Sequence, residues 1–259
     1  MPCPVADVPG GTSGEMSARG TAAKAGNGSG TAVGGGRRRR SAIPSSEVGR
    51  PDRRREILVN AERLFAEFGY NGVSIRDIAN AANVPIALVG YYFGRKEELF
   101  ATIFEHRRAY IEERIERLKA INLDAPDPVV EIVRAWAEPA MNVRSSSSGE
   151  TFSLLVARIV WDQEGVAQRM LQRYYDPLAE VFIEAMMRAL PDCDRVTIVW
   201  GYEYAIGVLL MHVADRRVER LSAGQAISGD PARLEDLVSF IASGFRALAK
   251  RASATRALA

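Results

Sequence analysis

The sequence is poor in the residues that carry most metal and redox chemistry. Of 259 residues, two are cysteine and two are histidine. Cys3 sits in a stretch too polar to fold and Cys193 stands far along the chain. That leaves no disulfide framework and predicts a reducing, cytoplasmic setting. His106 and His212 lack partners at metal-ligand spacing, so no metal site and no cofactor are expected. P-loop, glycine-rich dinucleotide turn, H-E-x-x-H pair and nucleophile–base pairing are all missing, which leaves a helical enzyme as a remote alternative only. The N-terminus has no apolar run of the kind a secretion signal needs. The longest apolar stretch, Val196 to Ala214, contains Glu203 and His212 and follows Asp194-Arg195. Those polar groups predict a buried helix rather than a membrane span, and no membrane partner. Alternating strand patterns with hairpin signals and internal repeats are absent too.

What charge there is lies unevenly. Residues 1–96 carry 14 basic and 8 acidic side chains, and the remainder 20 and 24. A basic front on a mildly acidic remainder suits a chain that meets a polyanion at one end, although a solvated basic tail gives the same balance. Residues 1–50 are rich in Gly, Ala, Ser and Arg and cannot bury enough surface to offset their conformational entropy, so they read as a disordered tail. The tail contains the run Gly34-Gly35-Gly36-Arg37-Arg38-Arg39-Arg40. Those arginines read either as an arm for phosphates or a minor groove, or as a solvated run at an over-long start.

From Arg53 the pattern is helical almost to the end, which makes the fold all-α. Ile57, Ala61, Leu64, Phe65 and Phe68 recur at three- and four-residue steps, and Gly69 follows as a stop. Ser74-Ile75-Arg76-Asp77 is a capping box that opens a second helix. Asn83 tolerates the left-handed turn that ends it, and Pro85 opens a short third helix. Two short helices joined by a tight turn, Ser74 to Phe93, braced by a first, form a helix-turn-helix unit whose second member enters the major groove. One long helix is expected from about Arg95 to Ala120, with Ile103, Ile111, Ile115 and Leu118 turned toward the rest. Further helices are expected near 128–143, 150–163, 165–190, 193–219 and 231–250, with Pro177 kinking or splitting the 165–190 segment.

Three runs carry a family resemblance: Ile57-Leu58-Val59-Asn60-Ala61-Glu62-Arg63-Leu64-Phe65-Ala66-Glu67-Phe68-Gly69-Tyr70, then Ser74-Ile75-Arg76-Asp77-Ile78-Ala79, then Tyr91-Tyr92-Phe93-Gly94-Arg95-Lys96-Glu97-Glu98-Leu99. They resemble the N-terminal domain of the TetR family of repressors, with the paired aromatics and the F-x-x-K-E-x-L junction in place. After the disordered tail over 1–50, the resemblance implies a DNA-binding domain over 51–104 and a helical effector-binding and dimerisation domain over 105–252. It implies that Arg76 touches a base edge or a phosphate, that Tyr91 and Tyr92 reach phosphates or bases, and that Lys96 clamps a phosphate. Ser74 at the mouth of the second helix joins this set. The recognition helix departs from the family pattern: Pro85-Ile86-Ala87-Leu88 and Gly90 leave few polar groups, and Ile86 and Ala87 are suited to thymine methyls.

In such proteins two C-terminal helices pair into a four-helix dimer interface. Trp200, Tyr204, Val208, Met211, Leu237, Ile241 and Phe245 are the candidates here, with intramolecular core as the other reading, and Gly201, Gly207 and Gly244 allow close approach. A homodimer would read a palindromic double-stranded DNA operator. Trp136, Met141, Phe152, Trp161, Tyr174, Tyr175 and Met186 are candidate lining for a small apolar or aromatic effector, or plain core. The function expected is a sequence-specific transcriptional repressor released by its effector through the 95–120 helix. The alternative is a DNA-binding regulator without a small-molecule ligand.

Overall fold

The computed structural model of the chain describes residues 52–144, 146–162 and 165–257, so the tail, Arg37 to Arg40 included, lies outside the described residues. No strand forms among the described residues. Asp52 caps α1 (Arg53–Phe68), its carboxylate accepting from the Arg55 N–H at 3.2 Å. Ile57, Leu58, Ala61, Leu64 and Phe65 form its buried face. Phe68, expected on that face, is instead exposed in the last position of the helix. Gly69 ends α1 at φ 76°, as its place after the last apolar residue predicts.

The chain continues through α2 (Ile75–Ala81), α3 (Ile86–Phe93), α4 (Lys96–His106) and α5 (Arg108–Lys119). The single helix expected over 95–120 is therefore two. Arg107 leaves helical geometry at φ −99°, ψ 6°. Its guanidinium donates to Glu62 on α1 at 3.3 Å and to the Ser148 carbonyl at 3.0 Å, so it is tied to two other helices. Beyond the break, Ile111 and Leu118 are buried and Ile115 half-buried, as their spacing predicts.

The bundle is completed by α6 (Pro128–Arg144), α7 (Ser147–Trp161), α8 (Gly165–Met170), α9 (Asp176–Ala189), α10 (Arg195–Ala214), α11 (Arg217–Leu221) and α12 (Leu234–Ala257). Between α8 and α9 the chain makes a π-helical turn, Leu171–Tyr175. Pro177 follows in the first turn of α9, where its missing N–H is tolerated, so the expected split of the 165–190 segment occurs just before the proline. The segment expected over 193–219 also divides. Asp215 turns extended and its carboxylate accepts from the Arg217 N–H at 2.9 Å to start α11.

One aromatic ladder runs from the first helices into the bundle. Phe65 meets Phe100 edge-on at 4.9 Å, Phe100 meets Phe104 at 5.3 Å, and Phe104 meets Phe152 at 5.9 Å. A second cluster joins Trp136, Tyr202 and Phe245 around the fully buried Phe182. The boundary expected at 104/105 falls inside α4, and α1 packs directly on α7, so the described residues share one contiguous core.

The two long C-terminal helices divide their apolar residues between two faces. The stretch expected to be buried, α10, is buried on one side only, through Ile198, Tyr202, Ala205 and Leu209. Among the described residues it is the one helix long and apolar enough, by length and composition, to cross a membrane. Val196, Trp200, Tyr204 and Met211 stand exposed on its other side, with Val208 half-buried. On α12 the residues taken as interface candidates, Leu237, Ile241 and Phe245, are within the chain's own core. They lie on the inner stripe, where the Phe245 ring fills the space above Gly201. The outward stripe is instead Phe240, Gly244 and the half-buried Leu248. A Cβ on Gly201 would sit 2.5 Å from the Phe245 ring, so this glycine serves contact within one chain. Gly207 and Gly244 have open space beside them. Gly201→Ala is expected to destabilise the protein by roughly 1–3 kcal/mol, the usual range for overpacking. Thermal unfolding checks it, and an unchanged melting temperature would show that the α10–α12 spacing gives way freely.

Candidate nucleic-acid interface and effector cavity

The helix-turn-helix is built from local hydrogen bonds that its sequence dictates. Ser74 Oγ accepts from the Asp77 N–H at 3.2 Å, while the Asp77 carboxylate accepts from the Ser74 N–H at 2.8 Å and the Ser74 hydroxyl at 2.6 Å. These bonds, with the charges of Arg76 and Lys96 behind them, hold the Asp77 carboxyl below its ordinary range. They also commit the Ser74 hydroxyl to the cap. At the turn Asn83 takes φ 51°, and the Val84 N–H donates to the Ala79 carbonyl at 2.9 Å. Pro85 precedes α3, which is pinned inward by Val89 and Phe93. Ile86, Ala87, Gly90, Tyr91 and Tyr92 are left outward, with Tyr91 81% exposed. The two tyrosine rings meet edge-on at 5.3 Å, and Tyr92 also meets Phe93 at 6.3 Å. Arg76 is exposed in the first turn of α2.

The junction to α4 rests on Gly94, at φ 69°. A Cβ there would stand 1.9 Å from a carboxylate oxygen of Glu98. That carboxylate accepts from the Arg95 N–H at 2.6 Å and so starts α4. Lys96 is half-buried with its Nζ 4.1 Å above the Tyr70 ring. Burial pulls its pKa down, against the opposing pull of Asp77. Sequence reasoning passed over other exposed cations beside this unit. Arg54, in the first turn of α1, lies 5.2 Å from the Phe93 ring, and Arg55 and Arg95 are exposed. The signal was the Arg53-Arg54-Arg55 run ahead of the first apolar residue: cations in a first turn oppose the helix dipole and invite an anion.

In the bundle a cavity of about 440 Å³ opens among α5 to α10. Trp136 and Tyr175 line it, with Arg114, Tyr202, Ile183 and Val199. Phe152 and Tyr175 line a smaller recess that shares Arg114. Tyr174 turns away, its hydroxyl donating to Glu105 at 3.0 Å and its ring stacked on Phe104. Met141 and Met186 are buried in the core and do not line the cavity. Trp161, also taken as candidate lining, is 70% exposed because it is the last residue of α7. Arg114 was missed. It falls in phase with Ile111 and Leu118, and an arginine in an apolar stripe is the signal that could have found it. Among the described residues no cluster of His, Cys, Asp and Glu is placed to hold a metal ion.

Over the described residues, fold and site define an all-helical protein with a helix-turn-helix head on a bundle that contains a cavity. The family model for bacterial regulatory proteins of the tetR family matches residues 57–103, and a tetracyclin repressor-like C-terminal domain matches residues 134–244. The HTH-type transcriptional repressor NicS of Pseudomonas putida is 36% identical over 78 residues, 30% of this chain and 35% of that protein. The HTH-type transcriptional repressor AcnR of Corynebacterium glutamicum is 29% identical over 113 residues, 42% of this chain and 55% of that one. The chain thus spans about a third to just over half the length of these curated relatives. Among solved structures, FadR from Bacillus subtilis in complex with stearoyl-CoA superposes with a TM-score of 0.53 at 13% identity, covering 73% of this chain and 98% of that one. The fatty acid degradation regulator FadR from Bacillus halodurans gives 0.51 at 16%, covering 76% and 98%. The chain belongs to the TetR family of transcriptional regulators.

Gly94→Ala is expected to destabilise the DNA-binding head, since it combines a left-handed backbone with the Glu98 collision. Gly90→Ala, with open space around it inside α3, is expected to stabilise by up to about 1 kcal/mol. Paired melting curves check both; shifts of the same sign would contradict this account of the junction.

Proposed function

We propose that the protein is a dimeric repressor that binds a palindromic operator through α3 and leaves it when a small ligand fills the bundle cavity. The observation that carries the reading is the outward face of α3. It is uncharged, anchored by Val89 and Phe93, and held on a fully capped unit. Ile86, Ala87 and Gly90 suit thymine methyls and close approach, while Tyr91 is free to reach a base or a phosphate. Arg54 in the first turn of α1 and Lys96 in that of α4 sit where an isolated helix disfavours cations. Phosphates would relieve both. To engage one, Lys96 must leave the Tyr70 ring. Arg76 is the candidate for a base edge.

One α3 makes few contacts, so a symmetric pair is needed to read a site. The exposed stripes Trp200, Tyr204, Met211 on α10 and Phe240, Gly244 on α12 flank an apolar groove, and a second copy of the same face is the natural cover. Release would run through Arg107, which touches α1, α7 and the ring of Phe152 in the cavity recess. Movement of Phe152 on filling would reach the head through that residue.

Footprinting of the full chain on DNA from around its own gene is expected to protect two related half-sites. Sequence-blind binding at moderate salt would refute the reading. Arg76→Ala is expected to relax one base position at a cost of roughly 1–3 kcal/mol. Lys96→Ala should weaken all sequences alike and lower the salt slope by about one. A Trp200→Glu, Phe240→Glu double variant is expected to sediment as a folded monomer with greatly reduced operator affinity. A dimer that survives both charges would place the interface elsewhere.

A further inference from the structure

The cavity wall contains a charge that no described carboxylate answers. Arg114 is 4% exposed. Its Nε donates to the Trp136 carbonyl at 2.9 Å and its Nη1 to the Tyr110 hydroxyl at 3.1 Å. The guanidinium also lies against the Tyr110 and Trp136 rings, at 5.5 and 5.4 Å. All of these partners are neutral, and among the described residues no carboxylate stands within ion-pair distance of Arg114. The contrast with the other well-covered arginines is direct: Arg107 is paired with Glu62 at 3.3 Å and Arg144 with Glu150 at 3.0 Å. A guanidinium cannot shed its proton, so burying it without an anion is costly and two neutral acceptors only partly compensate.

Resting on the reading of this cavity as the effector site, we propose that the effector is a monocarboxylic acid with an apolar body, its carboxylate held by Arg114. The planar fork of an arginine matches a carboxylate's two oxygens. Tyr175 and Tyr202 line the same space as neutral donors, since burial pushes the Tyr175 hydroxyl well above its ordinary range and Tyr202 up to about 12. Beside them the wall offers an apolar stretch through Val160, Ile183, Val199 and Ile206. Its volume falls in the roughly 300–1,000 Å³ range of small-molecule sites. The charged residues of the wall argue for a ligand with a single charge. Arg195 is occupied by Glu180 at 2.5 Å, and Asp176 and Glu203 also line the cavity, so a phosphate or a dicarboxylate would meet repulsion.

The test is titration calorimetry of the full chain with octanoate, 1-octanol and octylamine, which share a body and differ in charge. Octanoate is expected to bind at least about tenfold tighter than octanol, and octylamine weakest of all. Arg114→Gln should bring octanoate down to the affinity of octanol, whereas Arg114→Lys should keep part of the preference. Equal binding of octanoate and octanol, absence of octanoate binding, or an unchanged octanoate affinity in a folded Arg114→Gln protein would each overturn the proposal. If Arg114→Gln fails to fold, the octanoate-to-octanol ratio in the unmutated chain and in Arg114→Lys decides. Operator retention is measured separately. Arg114-dependent binding that leaves DNA affinity unchanged would keep the ligand class and remove the release mechanism.

Discussion

The relation between the DNA-binding head and the bundle depends on the ion pair between Arg107 and Glu62. Glu62 is a carboxylate on the inner face of α1, and its burial raises its pKa more than Arg107 lowers it. Removing Arg107 would leave that charge buried and unanswered, which is the expensive way to break such a pair. Arg107 itself is incompletely satisfied, since its Nε is buried without a partner. The residue that interrupts the α4–α5 path is thus held by contacts to α1 and α7 rather than by helix propensity. It sets how α4, with Lys96 at its start, is aimed relative to the bundle. Arg158 reinforces this joint from α7, donating to the Ala66 and Glu67 carbonyls at the end of α1 at 3.0 and 2.8 Å.

Division of labour within the head follows from where its charges are absent. No residue of α3 from Ile86 to Phe93 is charged. The cations stand instead on the neighbouring helix starts, at Arg54, Arg76, Arg95 and Lys96. Phosphate contacts fix register and orientation, and base edges supply discrimination. If the outward face of α3 is the recognition face, its methyls, glycine and two phenols would favour shape and thymine methyls over hydrogen-bonded base readout.

Much of this was legible in the sequence because it is local. The Ser74–Asp77 box, the Asn83 turn and the Gly69 stop are set by residues within five positions of one another, and each appears as its chemistry dictates. What failed was long-range. The break at Arg107 depends on Glu62 and Ser148, each more than forty residues away in sequence. On α12 both stripes are apolar, so periodicity alone cannot tell Leu237, Ile241 and Phe245 from Phe240 and Gly244. The choice is made by Gly201, whose missing side chain admits the Phe245 ring and turns Phe240 outward. Trp161 was misplaced for a similar reason: residue type suggested lining, but position at a helix end decided exposure.

Arg107, at the break before α5, and Arg114 within α5 are seven residues apart, roughly 10 Å along the chain's helical rise. One holds the head through Glu62, and the other faces the cavity. A ligand can shift DNA affinity only by binding the two states of the protein unequally. A carboxylate drawn to Arg114 would compete for the donors now spent on the Trp136 carbonyl and the Tyr110 hydroxyl, and so for the bond to Trp136 that ties α5 to α6. An apolar body without that charge would fill the same space and leave those bonds intact. On this geometry, charge recognition and release would be coupled, because the side chain proposed to read the ligand's head also helps hold α5, which continues α4 across the break at Arg107.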